Sequence, residues 1–125
     1  AEAARDNLAA MARRSREAGI RPLIGIPVPF CPPIREDWAA MADFSAASPV
    51  HDAFADELRA LCAGQGHDPV DFREGLARHI SETGVAPRSL YSDGLHLSEA
   101  GHRLFAAVLT RALRELGLSP ATRQS

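Results

Sequence analysis

The chain of 125 residues has no lysine: all 14 of its basic side chains are arginine, set against 16 Asp and Glu for a formal charge of −2. Because acid matches base along the whole length, no segment carries the basic stripe of a phosphate-coating nucleic-acid binder. Cysteine is scarce, and Cys31 and Cys62 alone cannot build a disulfide framework. Long apolar runs are missing as well. The longest, around Leu23 to Phe30, is broken by Gly25, Pro27 and Pro29 and falls well short of the roughly 20 residues of a membrane helix, so no transmembrane segment is expected. Internal repeats and low-complexity stretches are absent. A composition of 46% hydrophobic and 24% charged residues excludes whole-chain disorder, and the length suits one domain.

What is present is an alternation of helical and extended patterns. Glu2 to Ala18 reads as a helix with Leu8, Met11, Ala12 and Ala18 near one face and Gly19 as its left-handed cap. Pro22 to Val28 is a short apolar run of the type buried on both faces of a parallel sheet. The Pro-rich stretch Pro29-Phe30-Cys31-Pro32-Pro33 reads as a loop, and Ile34 to Phe44 as a short helix with Trp38 and Met41 inward. Ser48-Pro49 signals the start of a further helix, with Val50, Phe54, Leu58, Leu61 and Cys62 as its apolar stripe and Gly64 as its end. A second strand follows at Pro69 to Phe72, then a brief helical segment around Leu76 to Ile80. A final helix, capped by Ser98, carries an apolar face from Leu104 to Leu116. This order predicts an α/β domain with parallel strands over residues 1–117 and a frayed tail over 118–125. Two strands are too few for a sheet standing alone, and the chain opens on Ala1 inside a helical pattern, so it reads as a piece of a longer protein.

The informative segment is Tyr91-Ser92-Asp93-Gly94-Leu95-His96-Leu97-Ser98-Glu99-Ala100-Gly101-His102, a loop leading into a capped helix. An imidazole there, with a carboxylate three residues earlier, has its Nδ1–H fixed by Asp93 and its Nε2 left to take a proton from a nucleophile. The same residues admit plainer readings. Asp93 and His96 fit a loop turn beside a partly buried histidine, and His102 fits a helix-surface position. A metal reading would join Asp93, His96 and His102. The two histidines lack the i, i+4 spacing, and no Cys-x-x-Cys or His-x-x-x-His accompanies them, so neither metal nor other cofactor is expected.

Asp93-Gly94-Leu95-His96-Leu97-Ser98-Glu99-Ala100-Gly101-His102 resembles the last Asp-x-x-His block of the GDSL/SGNH hydrolases, and the preceding elements are similar in order to the C-terminal half of that family. The resemblance implies the C-terminal part of a flavodoxin-like three-layer α/β/α fold with a parallel sheet, its N-terminal strands missing from this chain. It also implies ester hydrolysis by a Ser-His-Asp triad, with His96 as general base and Asp93 as its orienting acid. Phe30 and Cys31, on the loop after the first strand, would flank a small-molecule ester.

The chain departs from that pattern at its front. It contains no Gly-Asp-Ser nucleophile motif, and Asn7, its only asparagine, has no Gly-x-Asn-Asp around it. Ser45, Ser48, Ser81, Ser89, Ser92 and Ser98 qualify by residue type alone, since none sits on a sharp strand-to-helix turn. The chain by itself is therefore expected to be inactive, completed by the missing N-terminal half or by a second copy. The rival expectation is a non-enzymatic interaction or self-associating module derived from the same fold. Lipid esters, acetylated carbohydrates and thioesters all remain open as substrates.

Overall fold

The chain is described by a computed structural model over residues 2–31, 44–93 and 95–118. Helix α1 (Glu2–Glu17) begins with an acid and ends with Arg14 and Arg16, the order that suits the helix dipole. It closes as the sequence predicts. Gly19 takes φ 77°, with Gly19 N–H donating to Arg16 and Ile20 N–H to Ser15, the paired bonds of a Schellman cap. Its inward stripe is Leu8, Ala9 and Ala12. Met11, expected on that face, lies on its flank and is 64% exposed.

Strand β1 (Leu23–Ile26) pairs in parallel with β2 (Asp68–Asp71), in a register running from Leu23 opposite Asp68 to Ile26 opposite Asp71. β1 is shorter than the apolar run because Pro22 and Pro27 have no N–H to give a ladder. Helix α2 (Phe44–Gln65) makes the crossover between the strands. It starts before Ser48, so Pro49 lies inside it rather than at its first position, at the loss of one backbone bond near the helix start. Its end also differs from expectation: the left-handed residue is Gly66 (φ 65°), where Arg16 donates to the carbonyls of Gln65 and Gly66, and Gly64 is still helical. Val50 is 62% exposed, and the buried stripe is Ala55, Leu58, Leu61 and Cys62. The expected helix over 34–44, with Trp38 and Met41, lies outside the described residues except for Phe44, and so does the tail beyond Leu118.

Helix α3 (Phe72–Thr83) is longer than its apolar core suggests because it starts at a cap. Asp71 Oδ1 accepts the Glu74 N–H at 2.9 Å, an Asp-x-x-Glu start signal that directly abuts the strand. A 3₁₀ turn (Pro87–Leu90) precedes the loop that leads into helix α4 (Glu99–Glu115).

Alternation along β1 makes the layers. Ile24 and Ile26 are buried with Ala12 of α1 and Ala55, Leu58, Leu61 and Cys62 of α2. Gly25 points the other way, under the Phe72 ring, which itself stacks on Phe105 of α4 with centroids 3.5 Å apart and planes 6° from parallel. Helices α1 and α2 thus cover one face, and α3 and α4 the other. The strand expected to be buried on both faces is fully covered on one only: Leu23 is half-buried and Gly25 exposed. Arginine pairs lace the layers, with Arg59 of α2 bidentate on Asp71 (2.8 and 3.2 Å) and Arg21 on Asp68 (2.6 Å). Among the described residues β1 pairs with β2 alone, and none of their helices is long and apolar enough to cross a membrane.

α3 and α4 meet at Gly75, where a Cβ would lie 2.4 Å from Val108 Cγ2. Gly75→Ala is expected to lower unfolding free energy by about 1–3 kcal/mol through overpacking, and Val108→Ala in the same chain to restore part of the loss. Chemical denaturation of the single variant, the double variant and the unmodified chain measures both.

Candidate active site

Asp93 and His96 are brought together as the sequence predicts. Asp93 is held by three donors: Oδ1 accepts the N–H of Leu95 (2.9 Å) and of His96 (2.7 Å), and Oδ2 accepts His96 Nδ1 at 2.7 Å. The local sequence dictates this, because a short Asp side chain reaches the amides two and three residues ahead and turns the chain back on itself. The carboxylate is largely buried (15% exposed), whereas the imidazole is 64% exposed. The bonds from the His96 backbone, the His96 ring and the Leu95 backbone hold the Asp93 carboxyl far below its ordinary value, at about 2. A carboxylate at Nδ1 selects the Nδ1–H tautomer and puts the ring's lone pair on Nε2.

The loop around the pair is closed by its own backbone. Tyr91 and Leu97 form an antiparallel bridge, and Ser92 N–H donates to the His96 carbonyl at 2.8 Å. Ser98 does three things at the entry to α4. Its N–H donates to Leu90 (3.0 Å), its hydroxyl donates to Ser89 (2.7 Å), and the same oxygen accepts the Gly101 N–H (3.2 Å). Gly101 is required there, since a Cβ would sit 2.1 Å from the Leu90 carbonyl oxygen. The hydroxyls of Ser89, Ser92 and Ser98 all donate to backbone carbonyls.

The dyad loop sits beside the carboxyl end of β1. There the chain runs Pro27-Val28-Pro29, and its three successive carbonyls each receive a side-chain donor from a different element. Arg73 Nε of α3 reaches Pro27 (3.2 Å), His51 Nε2 of α2 reaches Val28 (2.8 Å), and the Tyr91 hydroxyl reaches Pro29 (2.6 Å). Sequence reasoning missed all three. Prolines at 27 and 29 signal that the ladder stops and that carbonyls need other donors, but not which side chains supply them. The two residues expected to flank a substrate part company here. Phe30 is half-buried and stacks on the His51 ring, with centroids 4.3 Å apart and planes at 8°. Cys31 is 6% exposed, packed with Leu76, Leu90 and Tyr91, and burial pushes its thiol up. His102 is exposed on α4. Among the described residues, no three His, Cys, Asp or Glu side chains converge as a metal site.

A three-layer α/β fold with an Asp-x-x-His turn at the carboxyl end of a parallel strand defines a class, and the comparison by sequence agrees with it. The chain belongs to the GDSL-like lipase/acylhydrolase family, whose model matches residues 1–104. Among solved structures it superposes on a GDSL-like lipase from Parabacteroides merdae ATCC 43184 with a TM-score of 0.61 and 23% identity over 91% of this chain. It spans 48% of that neighbour's length, so it forms part of the fold. No curated protein matches it by sequence.

Three outcomes follow from the geometry. The Asp93 carboxyl carbon is expected to titrate by NMR with a midpoint near 2; a midpoint near 4 contradicts the three-donor turn. A folded value below the unfolded value of about 3.9 means that its contribution to stability is complete above pH 4 and disappears as pH falls through 2. Asp93→Asn is therefore expected to flatten the acid limb of the stability profile in that window. Gly101→Ala is expected to cost about 2–4 kcal/mol by denaturant titration and to free the Leu95 and His96 amides to exchange.

Proposed function

We propose that the complete protein hydrolyses carboxylic esters, with this chain supplying His96 as general base and Asp93 as its orienting acid. The serine nucleophile comes from residues outside this chain. The observation that carries the reading is the Asp93 Oδ2–His96 Nδ1 bond of 2.7 Å on a carboxylate already fixed by two backbone amides. The imidazole it orients is 64% exposed, at the strand end where open α/β sheets bind ligands. The hydroxyls of Ser89, Ser92 and Ser98 are engaged in loop bonds, which supports a nucleophile from elsewhere. β1's outer edge would receive the strands that bring it.

In the acylation step the serine oxygen bonds to the ester carbonyl carbon as His96 Nε2 takes its proton, and the carbonyl electrons move to oxygen. Asp93 stays ionised and stabilises the imidazolium. The carbonyl then re-forms, the alkoxy C–O bond breaks, and His96 returns the proton to the departing alcohol. Water repeats the cycle on the acyl-serine, with His96 again taking and returning one proton and releasing the acid.

The test is a fluorophosphonate probe on the native purified protein, with intact masses read for every polypeptide present. With the labelled site mapped by peptide sequencing, label is expected on a serine outside residues 1–125, in the same polypeptide or in a second one. His96→Ala is expected to slow labelling and hydrolysis of p-nitrophenyl acetate by at least about 10³-fold. Label on a serine within residues 1–125 overturns the claim that they hold no nucleophile, and absence of label anywhere in the native protein favours the non-enzymatic module.

A further inference from the structure

We infer that Tyr91 is a positioning residue, a phenolic tether that fixes the Asp93–His96 loop against the Phe30 segment at the carboxyl end of β1. The inference rests on the dyad reading above and adds to it what sets the distance between the base and the wall of the site. Of the three donors that hold the carbonyls of residues 27–29, Arg73 and His51 stand on helices, and Tyr91 alone stands in the dyad loop itself. Its backbone forms the bridge to Leu97 that closes the loop, and its ring is buried with Cys31, Leu76 and Leu90. The side chain thus reaches from the hinge of the dyad loop through the core to the residue preceding Phe30. Phe30 is in turn held by stacking on His51, whose Nε2 is bonded one carbonyl earlier, at Val28. Displacing the tether lets the dyad loop and the Phe30 segment move independently, and lets the loop's own bonds to Asp93 open more often. Burial also pushes the phenol up to about 12, so the donor persists across the working range of an esterase.

Tyr91→Phe removes the hydroxyl and leaves the ring packing in place, which separates tethering from core filling. Hydrogen exchange on the native protein gives a readout that needs no turnover. The Leu95 and His96 amides, both bonded to Asp93, are expected to exchange at least about tenfold faster in the variant, with amides of α2 and β1 unchanged. The second readout is the ratio of kcat/KM for p-nitrophenyl octanoate over acetate. It is expected to shift at least about threefold, because the wall moves relative to the base, whereas a loss of folded fraction scales both esters alike. Unchanged exchange at Leu95 and His96 overturns the proposal, as does an equal rise throughout the chain, which marks a core residue only. Faster exchange with an unchanged ester ratio overturns it too. His96→Ala, assayed in parallel, separates this from the reading beneath it: retained hydrolysis there sinks the catalytic dyad, and lost hydrolysis with an indifferent Tyr91→Phe sinks the tether alone.

Discussion

The four-residue parallel ladder between β1 and β2 is the constraint on which the other elements depend. Parallel strands cannot be joined by a hairpin, so the chain must leave the end of β1, cross one face through α2 and return to the start of β2. Both carboxyl ends then lie on the same side. Alternation in β1 gives each face a different covering: Ile24 and Ile26 demand α1 and α2, and the bare surface of Gly25 admits the Phe72 ring from α3. Asp71 stands at the junction, ending the ladder, capping α3 and binding Arg59. Few residues carry the whole arrangement, which is why the rest of the chain is spent on clamps.

Those clamps divide the candidate site into a bonded frame and an exposed edge. Asp93 spends three of its roughly four acceptor sites on two amides and one imidazole, an arrangement that holds its charge in place. The imidazole that it orients stays open to solvent. For the base proposed here, Asp93 fixes the ring at Nδ1 while the imidazole as a whole stays 64% exposed.

Much of this was legible in the sequence because it is local. The Asp93–His96 turn, the Ser98 cap and the Gly19 stop each depend on side chains within a few residues of the backbone that they serve, so residue type and spacing suffice. Gly101 was visible as a letter in the block, but its reason, a carbonyl from Leu90 pressed against the helix start, belongs to tertiary packing. The donors to residues 27–29 were illegible for the same cause. His51, Arg73 and Tyr91 show no common pattern, and their convergence exists only once three elements are folded onto one strand end. Cys31 followed Phe30 in the sequence reading, yet only Cys31 was taken into the core, with Leu76, Leu90 and Tyr91. Met11 and Val50 show the converse, apolar letters at helical spacing that no described element covers.

The absence of lysine gives the ion-pair framework a one-sided response to pH. Among the described residues, the ion pairs that join distant parts of the chain, Arg21–Asp68, Arg59–Asp71 and Arg73–Asp52, each use a guanidinium, which keeps its proton at any pH that a folded protein survives. Alkali therefore has nothing to take from these bridges, whereas acid neutralises their carboxylates. The framework is built to be loosened from one direction only, and the same guanidiniums that hold the layers together cannot serve as proton reservoirs for the chemistry at their edge.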